Sequence, residues 1–258
     1  MPLLKKKPTA NHIEHISVDE KLSSKTGKPV GEYITLFCEG LDNGKMTVEL
    51  VKILTEMLSN LLSDVKSPKY MVAGLGNKNV TPDSLGVRVA ESILATGHFE
   101  NVPEFDEIGL QRVYVVIPRV MAQTGFESAD QIKFITAGIK PDCLIVVDSL
   151  ACDSFERHIK TIQITDSGLF PGSGAKNIRK KISSEILGCP VIAIGVPTVV
   201  TSSKEWSEPL VSYDIDLMLN RFSSVISNAI NMALNPKLSY DEFRGLLMID
   251  GINAYEQN

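Results

Sequence analysis

Apolar and polar positions change period along the chain, and each change marks an element. Residues 1–30, with "KKK" and "SSKTGKP", are polar and carry no sustained period, which predicts a loosely tied polar N-terminal arm. "EYITLFCEG" then alternates, with Ile34, Leu36 and Cys38 on one side and Tyr33, Thr35 and Phe37 on the other. That is a strand pattern, closed by the turn formers of "GLDNGK". Over residues 46–65 the apolar positions Leu50, Val51, Leu54, Met57, Leu58, Leu61 and Leu62 recur at helical spacing, as an amphipathic helix requires.

From there the pattern alternates between short apolar strands and amphipathic helices. "YMVAGLG" reads as a strand and "PDSLGVRVAESILATG" as a helix; "RVYVVIP" follows as a strand. Ser128, with Gln131 three residues later, has the spacing of a capping box opening the next helix. "DCLIVVDSL" and "PVIAIGVPTVV" are continuous apolar runs of the kind buried on both faces of a sheet. Between them lie a shorter strand, "TIQITDSG", and a helix, "NIRKKISSEILG". "DIDLMLNRFSSVISNAINMAL" is a long helix with Leu217, Phe222, Ile226 and Ile230 on one stripe, and the tail after it reads as a weaker helix. The alternation predicts one α/β domain over residues 31–258, a mixed, mainly parallel sheet flanked by helices. In such sheets ligands bind outside the carboxyl ends of the strands, so the loops there are the place to look for chemistry.

Composition narrows the classes. Of 258 residues 43% are hydrophobic and 22% charged, an ordinary globular balance that one α/β domain can turn into a sizeable core. A net charge of −5 argues against a broad electrostatic grip on nucleic acid. No apolar run reaches the roughly 18 residues of a membrane span, and the start "MPLLKKKPTANH" lacks a signal peptide's apolar stretch. Cys38, Cys143, Cys152 and Cys189 have no CxxC spacing and are expected to be structural thiols, which fits a reducing cytoplasm. His12, His15, His98 and His158 form no ligand-spaced pair, so a zinc site has little support.

Candidate chemistry falls on carboxylates. "GLGNKN" has two glycines of a dinucleotide fingerprint but Asn79 in place of the third, and no GxxxxGK[ST] loop occurs. In "NVTPDSLG", Thr81 suits a helix N-cap and Pro82 the first helical position, which puts Asp83 in the first turn, where a carboxylate favours the helix dipole. A cap and a catalytic acid are both open readings of Asp83. Asp148 ends the apolar run "CLIVVD", where an ionised acid needs hydrogen bonds or a partner. Asp166 ends "TIQITD" in the same manner, so Asp83, Asp148 and Asp166 are expected to converge at one sheet edge. Close carboxylates can share a proton, one serving as base and the other as acid, or together hold a divalent metal. "FPGSGAKNIRKKIS" adds glycines ahead of Lys176, Arg179, Lys180 and Lys181, an arrangement suited to an anionic group.

Four of these stretches, "GLGNKNVTPDSLG", "KPDCLIVVDSLA", "TIQITDSGLFPGSG" and "LGCPVIAIGVPTVV", together resemble the germination protease family of spore-forming bacteria, in its order and spacing over residues 31–201. The resemblance implies an atypical aspartic endopeptidase with no metal or cofactor and an α/β, phosphorylase/hydrolase-like fold similar to hydrogenase-maturation proteases. It implies a small protein substrate, the small acid-soluble spore proteins. A homo-oligomer, tetrameric in the family, and a cytoplasmic location, the spore core in a sporulating organism, are implied as well. The family's two catalytic aspartates fall on Asp83 and Asp148. Asn77, Asn79, Asp166, Gly172, Ser173, Gly174 and Lys176 are the expected supporting or substrate-binding positions. Relatives are made as zymogens; this chain starts near the equivalent of their mature first strand, so control by a propeptide is not expected of it. Departures from the family pattern are Lys78 for Trp, Asp153 for Arg, Phe170 for His, and a short "TSSKEWSEPLVSYD" in place of a long insertion. A catalytically inactive, protein-binding relative and a metal-dependent maturation-type protease are the alternative readings.

Overall fold

The structure is a computed structural model that describes residues 12–38, 41, 47–63, 65, 69–99, 102, 105, 109–170, 180–201, 209–239, 241–243 and 245. In chain order the elements are β1 (Ile13–Val18), α1 (Glu20–Thr26), β2 (Gly31–Phe37), α2 (Thr47–Leu61), β3 (Lys69–Gly74) and α3 (Leu85–Ala90). They continue as β4 (Arg112–Val116), α4 (Met121–Thr124), α5 (Ser128–Ile139), β5 (Cys143–Cys152), β6 (Thr161–Thr165), α6 (Ser184–Leu187), β7 (Val191–Val200) and α7 (Ile215–Leu234).

All the strands join one seven-stranded sheet in the order β1-β2-β6-β7-β5-β3-β4. The sheet is mixed: β4, β3, β5 and β7 run parallel, while β6, β2 and β1 each pair antiparallel with their neighbours. From β3 the chain goes to β4 on one side, then returns through α5 to β5 on the other side of β3. The crevice between the carboxyl ends of β3 and β5 is therefore a topological switch point, where such sheets bind ligands.

The central strands are apolar throughout because both their faces are covered. On one face Val72, Ile145, Val147, Ile192 and Ile194 pack with Leu50, Leu54 and Leu58 of α2 and with Phe222, Ile226 and Ile230 of α7. On the other, Met71, Ala73, Leu144, Val146 and Val191 pack with Ala129 and Ile132 of α5. A single core leucine such as Leu54, fully buried, would cost about 2–5 kcal/mol on truncation to alanine.

Several elements differ from the sequence pattern for identifiable reasons. The N-terminal arm, from residue 12 on, is not loose: β1 pairs with β2 from Ile13↔Leu36 to Val18↔Gly31, and α1 follows with Asp19 Oδ1 accepting from Leu22 N–H at 2.7 Å. Only Val18 of β1 is buried, so main-chain pairing holds this edge strand and no apolar period betrays it. Ser128 is not a cap; its hydroxyl donates to Arg119 O at 2.8 Å. Of the helix expected from residue 177, residues 177–179 lie outside the described residues, residues 180–183 are not helical, with Ile182 bridged to Leu169, and α6 begins at Ser184. Leu217 is 52% exposed, and the buried stripe of α7 runs instead through Met218, Leu219 and Phe222. The tail beyond residue 245 lies outside the described residues.

Candidate active site

The loop after β3 is built by its own main chain. Leu75 N–H donates to Val147 O at 2.9 Å, extending the contact with β5 by one residue. Gly76 then turns with φ +107, a conformation that side chains rarely adopt, and the turn brings Asp83 back over it. Asn77 N–H donates to Asp83 O at 2.9 Å and closes the loop. A Cβ on Gly76 would meet Asp83 O at 2.0 Å, so only glycine permits this closure, and it would lie 3.3 Å from Asp83 Oδ1. The Asp83 carboxylate thus sits at the tip of β3.

Thr81–Asp83 form a single 3₁₀ turn ahead of α3 rather than the helix start that the sequence suggested. Thr81 caps nothing; Val80 O accepts from Asp83 N–H at 2.8 Å, and Ser84 Oγ donates to Thr81 O at 2.7 Å. Asn77 Oδ1 accepts from Asn79 N–H and from Gln123 Nε2, each at 3.1 Å, so the side chain of Asn77 braces the loop from inside and from α4. Asn79 is exposed. The turn rests against β5 and β7. Thr198 Oγ1 fixes it there by donating to Pro82 O at 2.7 Å, with Leu150 O at 3.4 Å. Gly86 lets α3 start hard against the sheet, since a Cβ there would lie 2.3 Å from Val147 O.

Asp148 is not the end of its strand. β5 runs on to Cys152 beside β7, with Asp148 level with Gly195. The residue is buried, 6% exposed. Its side chain leaves the face shared with Leu144 and Val146, and its Oδ1 accepts from Ser149 N–H at 2.9 Å. That N–H points away from β7 to the side on which β3 has ended, as Val147 O does two residues earlier. The Asp148 carboxylate is therefore held on the β3 side of β5, one residue past the last β3–β5 pair. The 3₁₀ turn that carries Asp83 packs against β5, the strand that carries Asp148, beside the switch-point crevice.

Asp166 does not join them. β6 is antiparallel to β7, with Gln163 level with Gly195, so the chain beyond Gln163 runs away from the crevice. Asp166 lies three residues further, about 10 Å along the strand, and is exposed. There its Oδ1 accepts from Glu32 N–H at 2.7 Å, tying down the start of β2. Asp166 therefore takes no part in the expected convergence of three acids, because strand direction sends it to the opposite edge. Gly172, Ser173, Gly174 and Lys176, with Arg179, lie outside the described residues. Lys180 and Lys181 are engaged, the first with Asp130 at 2.6 Å and the second with Glu185 at 3.7 Å.

Residues that the sequence pattern did not single out complete the surroundings. Ser149 carries a buried hydroxyl with no hydrogen-bond partner, immediately beside Asp148. Thr198 and Gln123 pin the loop that carries Asp83. Their only signal was position: Ser149 follows an acid in an apolar strand, and Thr198 is a lone polar residue in another.

A family model described as germination protease matches residues 3–224. The chain belongs to the germination protease family. It is 42% identical over 216 residues to the germination protease of Bacillus cereus (strain AH187), covering 81% of this chain and 58% of that protein. The germination protease of Bacillus anthracis (strain A0248) is likewise 42% identical over 216 residues, covering 81% of this chain and 57% of that protein. The chain therefore spans little more than half the length of these germination proteases. Among solved structures, a [NiFe] hydrogenase maturation protease, HycI from Thermococcus kodakarensis KOD1, aligns over 67% of this chain and 98% of its own, at 20% identity and a TM-score of 0.40.

The positions that the sequence reading set apart from the family pattern have local surroundings of their own. Lys78 pairs with Glu91 at 2.7 Å, and Phe170 lies beneath Lys181 Nζ at 5.3 Å. Asp153 is exposed just beyond β5. All four cysteines are free and buried, and burial pushes the Cys38 and Cys143 thiols up to about 12. No helix among the described residues is long and apolar enough to cross a membrane.

Proposed function

We propose that this chain is an endopeptidase in which Asp83 and Asp148 work as an acid–base pair on the scissile amide. The observation that carries this reading is the orientation of Asp148. Its carboxylate accepts from Ser149 N–H and so is held on the β3 side of β5, and Gly76 admits Asp83 at the tip of β3. Two carboxylates in one partly dry crevice do not ionise independently; over some pH range they hold one proton between them. The ionised member draws a proton from a water as its oxygen attacks the amide carbon, forming a tetrahedral intermediate. The protonated member then gives its proton to the leaving nitrogen as the C–N bond breaks, and the pair ends with its charge unchanged. The roles belong to the pair and exchange between steps.

The surroundings suit this division of labour. Asp148 sits on a rigid strand bonded on both sides up to Val147, while Asp83 sits on a loop fixed by Asn77, Thr198 and Ser84. Rigid placement of both groups is what proton transfer in a transition state demands. Family membership makes small acid-soluble spore proteins the proposed substrate, acting through a homo-oligomer in the cytoplasm. The metal-dependent alternative draws less support, because Asp166 supplies no third oxygen ligand to the crevice.

The test is digestion of a small acid-soluble spore protein by the wild type, Asp83→Asn and Asp148→Asn, each shown to be folded by circular dichroism. Discrete fragments from the wild type alone support the pair. Undiminished cleavage by either variant removes that residue from the mechanism, and loss of wild-type cleavage in chelator transfers the chemistry to a metal.

A further inference from the structure

The last residues of β5 have a strand beside them on one side only. β3 accompanies β5 from Cys143 to Val147, whereas β7 accompanies it onward to Cys152. Which main-chain groups this leaves over follows from strand alternation. Leu144 N–H donates to Pro190 O at 2.9 Å, and Cys152 O accepts from Thr201 N–H at 2.8 Å, so the even positions address β7. Val147 O accepts from Leu75 N–H at 2.9 Å on the opposite side, so the odd positions address β3. Beyond Val147 these are Ser149 and Ala151, and β3 is no longer there to meet them.

Ser149 N–H is taken by the Asp148 carboxylate at 2.9 Å. By this alternation, which β5 keeps through the register shift with β7 between Leu150 and Ala151, Ser149 O and the N–H and C=O of Ala151 face the side that β3 has left. Exposure changes at the same point: residues 143–148 are buried and residues 149–151 are partly open. Unpaired main-chain groups along a half-buried edge are costly unless something pairs with them, and an extended peptide is what such an edge accepts.

We infer that residues 149–151 of β5 bind the substrate as an added strand. Resting on the protease reading for its occupant, the inference names an extended segment of the polypeptide to be cut. That segment continues the line of β3, takes the N–H of Ala151, and donates its own N–H groups to Ser149 O and Ala151 O. One end of the edge is the Asp148 carboxylate itself, so a chain lying there is drawn past both acids with its amides in register. The edge is three residues long, about 10 Å, enough to align a chain and too short to template sheet growth. Recognition through the main chain tolerates many side chains but requires an extended segment, so a compactly folded protein is not a substrate until it opens.

The experiment is amide hydrogen exchange on the full chain carrying Asp83→Asn, which keeps the polypeptide intact, with and without excess small acid-soluble spore protein. The same comparison is made on the unmodified chain at short mixing times. The expected result is a slowing of about tenfold or more at Ala151 and no change at Leu150, whose amide is already in the ladder with β7. Unchanged exchange at Ala151 overturns the inference. A second variant, Ala151→Pro, removes the donor without removing a bond to β7. It is expected to raise KM about tenfold while kcat and thermal midpoint stay near wild type; an unchanged KM contradicts the added strand. Digestion by the wild type separates the two readings. Slowed exchange without cleavage keeps the edge and removes the protease, whereas cleavage without slowed exchange keeps the protease and removes the edge.

Discussion

Two strands of this sheet carry nearly the same four residues, "VVDS" within β5 and "ITDS" at the end of β6, and the fold uses their acids in opposite ways. Asp148 is buried just past the last β3–β5 pair, its carboxylate accepting from Ser149 N–H at 2.9 Å. Asp166 is exposed and holds the main chain of Glu32 at 2.7 Å. The local sequence is nearly the same; what differs is that β5 runs parallel to β7 and β6 antiparallel. A parallel strand delivers its carboxyl end to the edge where the other parallel strands deliver theirs, and an antiparallel strand delivers it to the far edge. On the proposed reading, strand direction decides which acid can serve the chemistry, and the antiparallel half serves as scaffold.

The contrast can be broken or sharpened by substitution. The largest effect is expected from Asp83→Asn or Asp148→Asn, each lowering kcat by about 10²–10⁴-fold with the fold retained, measured on a small acid-soluble spore protein. Gly76→Ala comes next. Its Cβ would fall 2.0 Å from Asp83 O at φ +107, so the loop must shift, with a loss of about 1–3 kcal/mol and a clear fall in kcat, read by denaturant unfolding and initial rates. Thr198→Val removes the bond to Pro82 O and is expected to cost about 1 kcal/mol, with a smaller fall in kcat. Asp166→Ala is expected to lower stability by about 1 kcal/mol or less and to leave kcat within about twofold, since its partner amide is at the far edge.

A pH titration asks whether the two halves differ in their interiors or only at their edges. Cys38, beside the antiparallel half, and Cys143, in β5, are both pushed by burial from 9.0 up to about 12. A thiol raised in the folded state contributes stability that is present below the unfolded value and is lost as pH rises toward the folded one. Stability is therefore expected to fall between pH 9 and about 12, and neither thiol should react with a disulfide reagent at pH 8 until the chain unfolds. Prompt reaction of Cys143 alone would show that the parallel half is the looser one.

Much of this arrangement was legible in the sequence, and the gaps have physical causes. The apolar runs of β3, β5 and β7 and the period of α2 announced a sheet with helices on both faces, because those strands are buried on both sides. β1 escaped notice because an edge strand with one buried side chain needs only main-chain bonds, which leave no hydrophobic trace. Asp83 and Asp148 stood out by residue type and by position beside apolar strands. The convergence of Asp166 could not be judged, since alternation gives a strand's faces but not its direction. Ser149 and Thr198 were missed for a related reason: a hydroxyl in a strand looks the same whether it pins a loop, stands beside an acid or simply fills space.

The central claim is that the crevice between β3 and β5, and not the acid-tipped end of β6, carries the chemistry. The most direct test sets kcat/KM for Asp83→Asn, Asp148→Asn and Asp166→Asn side by side on one small acid-soluble spore protein, with thermal midpoints for all three. The account predicts a collapse for the first two and a value within about twofold of wild type for the third. Cleavage that survives Asp148→Asn, or that collapses in a folded Asp166→Asn, would contradict it.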